Sequence, residues 1–301
     1  MTLPGMSTSR YMNAFAADSH PGHRRSQNED CFLADDAIGL FLVADGVGGH
    51  ADGDVAAAIV RDTLRDEIGK GAGLDAAIQR AHTGVLSEIA RREDSNMGST
   101  VVAAVVSAGK YDIAWVGDSR AYSFDGTLTR LSRDHNPVSE MLAQGALTPA
   151  QAAVHPRRNV LSQSVGVSAT NEVAPGRIRG QLHQGQQLIL CSDGLTDELS
   201  DAVIEQIMSR ETSPQMQVNA LVEAALGRGG RDNITVVVVG ARGRDSATCI
   251  DEPGPDPSAT GTTPTGGEQL QGGSPAKQRR VVLLVAAMTV AALAWVALNN
   301  L

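Results

Sequence analysis

The chain of 301 residues predicts an α+β layered sandwich followed by a tethered, apolar C-terminal segment. Three observations predict it. Short apolar runs bounded by Gly and Asp occur in groups instead of alternating one by one with helical stretches, which argues against repeated βαβ units. Two segments with Ala, Ile, Val and Leu at helical spacing stand together early in the chain, and two more stand together late. After Arg244 the composition turns to Asp, Pro, Gly, Thr and Ser, and then to an uncharged apolar run.

In order along the chain, Ala37–Ala44 (AIGLFLVA) reads as a buried strand closed by Asp45-Gly46. Residues 54–68 and 74–92 read as two amphipathic helices. Thr100–Ala108, Tyr111–Val116 and Arg120–Phe124 are strands separated by Gly-Lys and Gly-Asp-Ser turn signals, as in an antiparallel meander. Residues 136–153 form a polar helical insertion interrupted at Gly145 and Pro149. Residues 187–191 and 233–240 are again strands, and 200–208 and 214–226 are helices. The folded domain expected from this pattern covers residues 10–243.

Residues 244–276 are too poor in apolar side chains to offset chain entropy and are expected to be a disordered linker. Residues 281–298 (VVLLVAAMTVAALAWVAL) carry no charge and as a helix would extend about 27 Å at ~1.5 Å per residue, close to the apolar thickness of a bilayer. They are expected to form a single transmembrane helix, and Lys277-Gln278-Arg279-Arg280 before it would hold the domain on the cytoplasmic side of the cell membrane. The alternative for this run is an Ala-rich buried or partner-binding helix.

Composition narrows the function classes. A net charge of −9 and an aromatic content of 3% argue against nucleic-acid binding, which needs basic surface and stacking platforms. Cys31, Cys191 and Cys249 include no Cys-x-x-Cys pair, so neither a disulfide framework nor a zinc site is expected. The segment 1–15 contains Pro4, Gly5 and polar residues in place of an apolar export core.

The chemistry is carried by four short acidic motifs: Arg25-Ser26-Gln27-Asn28-Glu29-Asp30, Ala44-Asp45-Gly46-Val47-Gly48-Gly49-His50, Cys191-Ser192-Asp193-Gly194 and Arg231-Asp232-Asn233. Each carboxylate opens or closes a strand-like run, so the fold can gather them at one end of a sheet. Clustered carboxylates repel unless cations sit between them, and hard oxygen ligands favour Mg²⁺ or Mn²⁺, a pairing suited to phosphate-ester chemistry. Taken singly, each residue has an ordinary reading as well. Asp45-Gly46 makes a hairpin turn, Asp193 a turn or helix cap, Asp232 a strand cap, Asp118 a β-turn and Arg25 a surface ion pair.

The ordered set Arg25-x-x-Asn28-Glu29-Asp30, Ala44-Asp45-Gly46-x-Gly48-Gly49-His50, Met97-Gly98-Ser99-Thr100, Val116-Gly117-Asp118-Ser119-Arg120, Asp134-His135, Ser192-Asp193-Gly194 and Asp232-Asn233 closely resembles the bacterial metal-dependent serine/threonine protein phosphatases of type 2C, the PPM family. The likeness covers residues 10–243, and His155–Val160 is similar to the end of the mobile flap of bacterial members. The resemblance implies an α/β/β/α sandwich with two central, mainly antiparallel sheets. It implies that Asp45 bridges two ions of Mn²⁺ or Mg²⁺, that the Gly46 carbonyl ligates one, and that Asp193 and Asp232 ligate the other. Glu29 and Asp30 would hold water on the metals, Arg25 would grip the phosphate, and Asp118 with Asp193 would hold a third ion.

The implied reaction is hydrolysis of phosphoserine and phosphothreonine by a water whose proton two cations have loosened. The implied partners are phosphoproteins, a serine/threonine protein kinase that the enzyme opposes, and that kinase's substrates. Val47 stands where some eukaryotic members carry a histidine, which leaves the leaving-group proton donor open between water and His50. Two other functions stay in view: hydrolysis of a non-protein phosphate ester at the same site, and a catalytically idle sensor or adaptor. The presence of every implied ligand weighs against the second.

Overall fold

Alternation along the apolar strands decides the layering. A computed structural model describes residues 13–48, 52–92, 96–167 and 172–241. In chain order its elements are β1 (Asn13–His20), β2 (Asp30–Asp35), β3 (Leu40–Gly48), α1 (Gly53–Gly69), α2 (Leu74–Arg91), β4 (Met97–Ser99), β5 (Val101–Ser107), β6 (Lys110–Val116), β7 (Arg120–Phe124), β8 (Leu128–Arg130), α3 (Pro137–Ala143), α4 (Pro149–Ala153), β9 (Gly176–Gln181), β10 (Gln187–Cys191), α5 (Asp193–Thr196), α6 (Asp201–Arg210), α7 (Pro214–Arg228) and β11 (Ile234–Ala241). One sheet runs β1-β11-β10-β7-β8. The other runs β2-β3-β5-β6-β9, with β4 added beside β3. Every strand pairing is antiparallel.

Successive residues of β3 face opposite ways, and both faces are apolar. Leu40, Leu42 and Ala44 meet α1 and α2 through Val60, Leu64 and Ile78, whereas Phe41 and Val43 meet the other sheet at Leu188, Leu190, Val237 and Val239. The far face of that second sheet, with Ile189, Cys191, Val236 and Val238, is covered by Ile204, Met208, Leu221 and Val222 of α6 and α7. The result is the α/β/β/α sandwich with its three cores, and burial on both faces explains why β3 and β11 read as continuous apolar runs.

The expected elements are present, with shifts of a few residues at their ends. The strand expected over 37–44 begins later and runs on through Asp45 and Gly46 to Gly48, because β4 supplies it with a partner: Gly46 pairs with Ser99 and Val47 with Gly98. Asp45 therefore lies inside a strand and not in a hairpin turn. Three substantial strands had no clear sequence signal. In β1 and β2 apolar and polar residues do not alternate cleanly, and β9 (GRIRGQ) is a polar strand at the edge of its sheet. The linker at 244–276, the basic cluster at 277–280 and the apolar run at 281–298 lie outside the described residues, as do Gly49 and His50. Among the described residues, no helix is long and apolar enough to cross a membrane.

Candidate active site

Strand register brings the acidic motifs together. Asp30 begins β2 and pairs directly with Asp45 in β3. In the other sheet Cys191 pairs with Val236 and with Arg120, so Asp193 just beyond β10, Asp232 just before β11 and Asp118 just before β7 emerge at the same ends of their strands. Five carboxylates thus come from both sheets to one place.

The backbone around them is fixed by short polar contacts. The Asp45 N–H donates to Thr100 Oγ1 (3.1 Å), and its carbonyl accepts from the Thr100 N–H (2.8 Å) and from Ser99 Oγ (3.1 Å). Thr100 Oγ1 lies 2.7 Å from Ser119 Oγ, which links the Asp45 strand to the loop that carries Asp118. The Gly46 N–H donates to the Glu29 carbonyl at 3.1 Å. A Cβ at Gly46 would stand 2.1 Å from the Gly53 carbonyl oxygen, and one at Gly194 would stand 1.9 Å from that of Asn233. Only glycine permits such approaches, which is why Asp-Gly recurs here.

Electrostatics sets this cluster apart from a structural one. Burial, reinforced by Asp30, Asp193, Asp118 and Asp232, drives the Asp45 carboxyl well above the ordinary carboxylate range. Asp193 is driven the same way by burial and by Asp118 and Asp232. Asp118 is pushed up to about 6 by burial and Asp134. Asp30, 9% exposed, is also pushed up to about 6 by burial, although Thr235 and Ser192 work against the shift. Its Oδ2 accepts from Ser192 Oγ (2.8 Å) and Thr235 Oγ1 (2.7 Å), while its Oδ1 is buried and has no hydrogen-bond donor. Buried oxygens without donors and acids that raise one another's pKa both fit a cation. Among the described residues, no three acidic, His or Cys side chains close a cage around a single ion unaided.

The expected site residues are accounted for. Asp30, Asp45, Asp118, Asp193 and Asp232 share one electrostatic cluster, and the Gly46 backbone sits beside Asp45. Arg25 stands at its margin, with Nη2 2.8 Å from Asp232 Oδ2, and Glu29 and Asp45 stabilise its charge further. Burial raises the Glu29 carboxyl, and Arg25 opposes that shift.

Several residues within or beside the motifs support the site without touching its centre. Asn233 Oδ1 accepts from the Glu29 N–H (2.8 Å), and its Nδ2 donates to the carbonyls of Pro21 and Gln27 (both 2.9 Å). One amide therefore ties the loop bearing Arg25 to β11. Ser192, Thr235 and Thr100 hold carboxylates or their backbone. Asp134 is clamped between Arg120, with contacts of 2.9 and 3.2 Å, and Arg130. The available sequence signal was position: each hydroxyl or amide lies within two residues of an acidic motif or a glycine turn.

The chain belongs to the protein phosphatase 2C family, whose family model matches residues 19–226. It is similar to the serine/threonine protein phosphatase PstP of Mycobacterium tuberculosis, at 35% identity over 234 residues. That match takes in 74% of this chain but only 44% of the relative, so the chain spans less than half the length of PstP. The serine/threonine phosphatase stp of Listeria innocua is 33% identical, with 75% of this chain and 95% of that protein covered. Among solved structures, the catalytic domain of PstP in complex with two manganese ions superposes with a TM-score of 0.68 at 31% identity, covering 77% of this chain and 99% of that one.

Proposed function

We propose that this protein is a metal-dependent protein serine/threonine phosphatase that hydrolyses phosphoserine and phosphothreonine with two ions of Mn²⁺ or Mg²⁺. The observation that carries the reading is the convergence of Asp30, Asp118, Asp193 and Asp232 on the buried Asp45, together with the donor-less Oδ1 of Asp30. Family membership and the manganese-bound relative support it.

Asp45 and the Gly46 carbonyl would hold one ion, with Asp45 shared and Asp193 and Asp232 holding the other. Asp118 would help hold a third. Mg²⁺ and Mn²⁺ usually keep several waters, so a site completed partly by water would suit these carboxylates. When bound, the ions supply positive charge against the phosphoryl oxygens and lower the pKa of a nucleophilic water. The remaining work belongs to the chain. Asp30, whose Oδ2 is anchored by Ser192 and Thr235, would orient a water with its remaining oxygen. Glu29, held through its backbone by Asn233, does the same from the margin. Arg25 exchanges Asp232 for two phosphate oxygens, a two-pronged fit that lysine cannot reproduce.

The physiological substrates would be phosphoproteins made by a serine/threonine kinase. The uncharged run at 281–298 and the basic residues before it support single-pass attachment to the cell membrane with the catalytic domain in the cytoplasm. Attachment raises the effective concentration of membrane-bound substrates. Comparing rates on phosphoserine and phosphothreonine peptides with those on small phosphate esters tests the substrate class. Peptide rates no better than small-ester rates would reject a protein phosphatase. Fractionation of the full chain tests the anchor: recovery in the soluble fraction rejects it.

A further inference from the structure

A cavity of about 740 Å³ opens directly from the carboxylate cluster, with Asp118 and Asp193 in its wall. It is larger than a phosphoryl group on one serine side chain requires, and it falls in the size range of specific ligand sites. Its two sides differ in chemistry. The side built by α3, α4 and the turn after them is mainly apolar: Val138, Leu142, Pro149, Ala152, Ala153 and Val154 line it, with Ser139 within the stripe and Arg158 at its end. Val138 is buried, but Leu142 is 38% exposed and Val154 is 79% exposed, so part of this wall faces solvent.

The opposite side is polar and already satisfied within the protein. Asp134 is clamped by Arg120 and Arg130, Asp201 accepts from the Tyr122 hydroxyl (3.1 Å), and Asp197 accepts from Asn159 (2.8 Å). Beyond the cluster carboxylates and the Arg158 guanidinium, what the cavity offers a ligand is its apolar wall. The Asn159–Asp197 contact also ties the end of the α3–α4 segment to the residue that follows α5, the helix that begins with Asp193. The apolar wall is thereby held against the catalytic end of β10.

We propose that this cavity is a specificity subsite that accepts an apolar side chain of the phosphorylated polypeptide. The proposal rests on the phosphatase reading above. Continuity fixes the occupant: Asp118 and Asp193, which act directly on Asp45 in the carboxylate cluster, line the same cavity as the apolar wall, so a chain that presents its phosphate to that cluster lays its neighbouring residues along the wall. A cavity of this volume is roughly 9 Å across, about three residues of extended chain at ~3.3 Å each, so the recognised side chain lies within about three residues of the phosphorylated one. Burying a leucine there in place of alanine removes apolar surface from water on both partners.

The test uses the full chain with Mn²⁺ and a set of phosphothreonine peptides in which one flanking residue, from three before to three after, is Ala or Leu. At one position Leu should raise kcat/KM about tenfold over Ala, the lower end for discrimination by an apolar pocket. Val154→Asp, at a site exposed enough to fold normally, should reduce that ratio to near one, and Leu142→Ser should reduce it independently. No preference at any position overturns the subsite while leaving the phosphatase intact, and so does a preference that survives both substitutions. A dimer that Val154→Asp dissolves, with the peptide ratio unchanged, would assign the wall to a second copy of the chain and also overturn the proposal. Failure of the unaltered chain to hydrolyse any peptide instead removes the phosphatase reading, and the subsite with it.

Discussion

Arg25 Nη2 and Asp232 Oδ2 lie 2.8 Å apart, joining two motifs 207 residues apart in the chain. Their side chains are 50% and 35% exposed, so the pair contributes little to stability. Its value is positional, because it holds a guanidinium beside the carboxylates where a phosphate must arrive. Arg25→Ala is expected to lower kcat/KM on phosphopeptides by about 1.5–3 kcal/mol, the scale of a charge-assisted hydrogen bond, with Tm unchanged. Mn²⁺ affinity, read by calorimetry, should not weaken, since Asp232 loses its competitor. A loss of metal affinity at full catalytic rate would make Arg25 structural.

Asp45→Asn should eliminate nearly all turnover and weaken Mn²⁺ binding while leaving the fold intact. It removes a charge that burial and four neighbouring acids already oppose, so the chelator-treated variant should melt higher than the unaltered protein. Calorimetry and melting together check this: a lower Tm, or full activity, contradicts the assignment.

The cluster also sets a pH dependence for the metal-free protein. Asp30 and Asp118 have carboxyls raised from 3.8 to about 6 in the fold, mainly by burial. A group that holds its proton more tightly when folded favours the folded state while protonated, and its ionisation costs stability as pH rises between those values. Asp112 and Glu88, lowered by arginines, act in the opposite sense below about pH 4. In chelator, Tm should therefore fall as pH rises from about 4 to about 6, with His135, whose pKa burial lowers, working against the fall toward the upper end. Saturating Mn²⁺ should remove or reverse that slope. A chelated protein whose Tm climbs across this range would count against mutual repulsion at the site.

Asp118→Ala should reduce turnover on phosphoproteins while Mn²⁺ still occupies the positions at Asp45, Asp193 and Asp232. Asp118 acts electrostatically on Asp193, and both line the cavity described above. An unchanged rate at both low and high metal would return it to the role of a turn residue.

Asp45, Asp118, Asp193 and Asp232 were legible because each stands beside an apolar run that reads as a strand, and because Asp-Gly marks a close backbone approach at Gly46 and Gly194. The long helices and β5 to β7 were legible for the same reason: their apolar patterns match a single period. What pairs with what was not legible. β2 places Asp30 opposite Asp45, yet its own sequence, DCFLAD, carries only a weak strand pattern. The three residues of β4 turn an expected hairpin into a continued strand. The tie from Asn233 to Glu29 spans 204 residues and rests on one side-chain amide, a contact no local pattern encodes.

Phosphatase turnover at this centre requires divalent metal. Phosphate release from a phosphothreonine peptide by the full chain, followed through a Mn²⁺ titration and then excess chelator, tests this requirement. The expected result is a rate that rises from near zero to saturation with Mn²⁺, returns to near zero with chelator and survives thiol alkylation, since burial pushes the Cys31 and Cys191 thiols up to about 12. A rate that persists undiminished in chelator, or no release at any metal concentration, contradicts it.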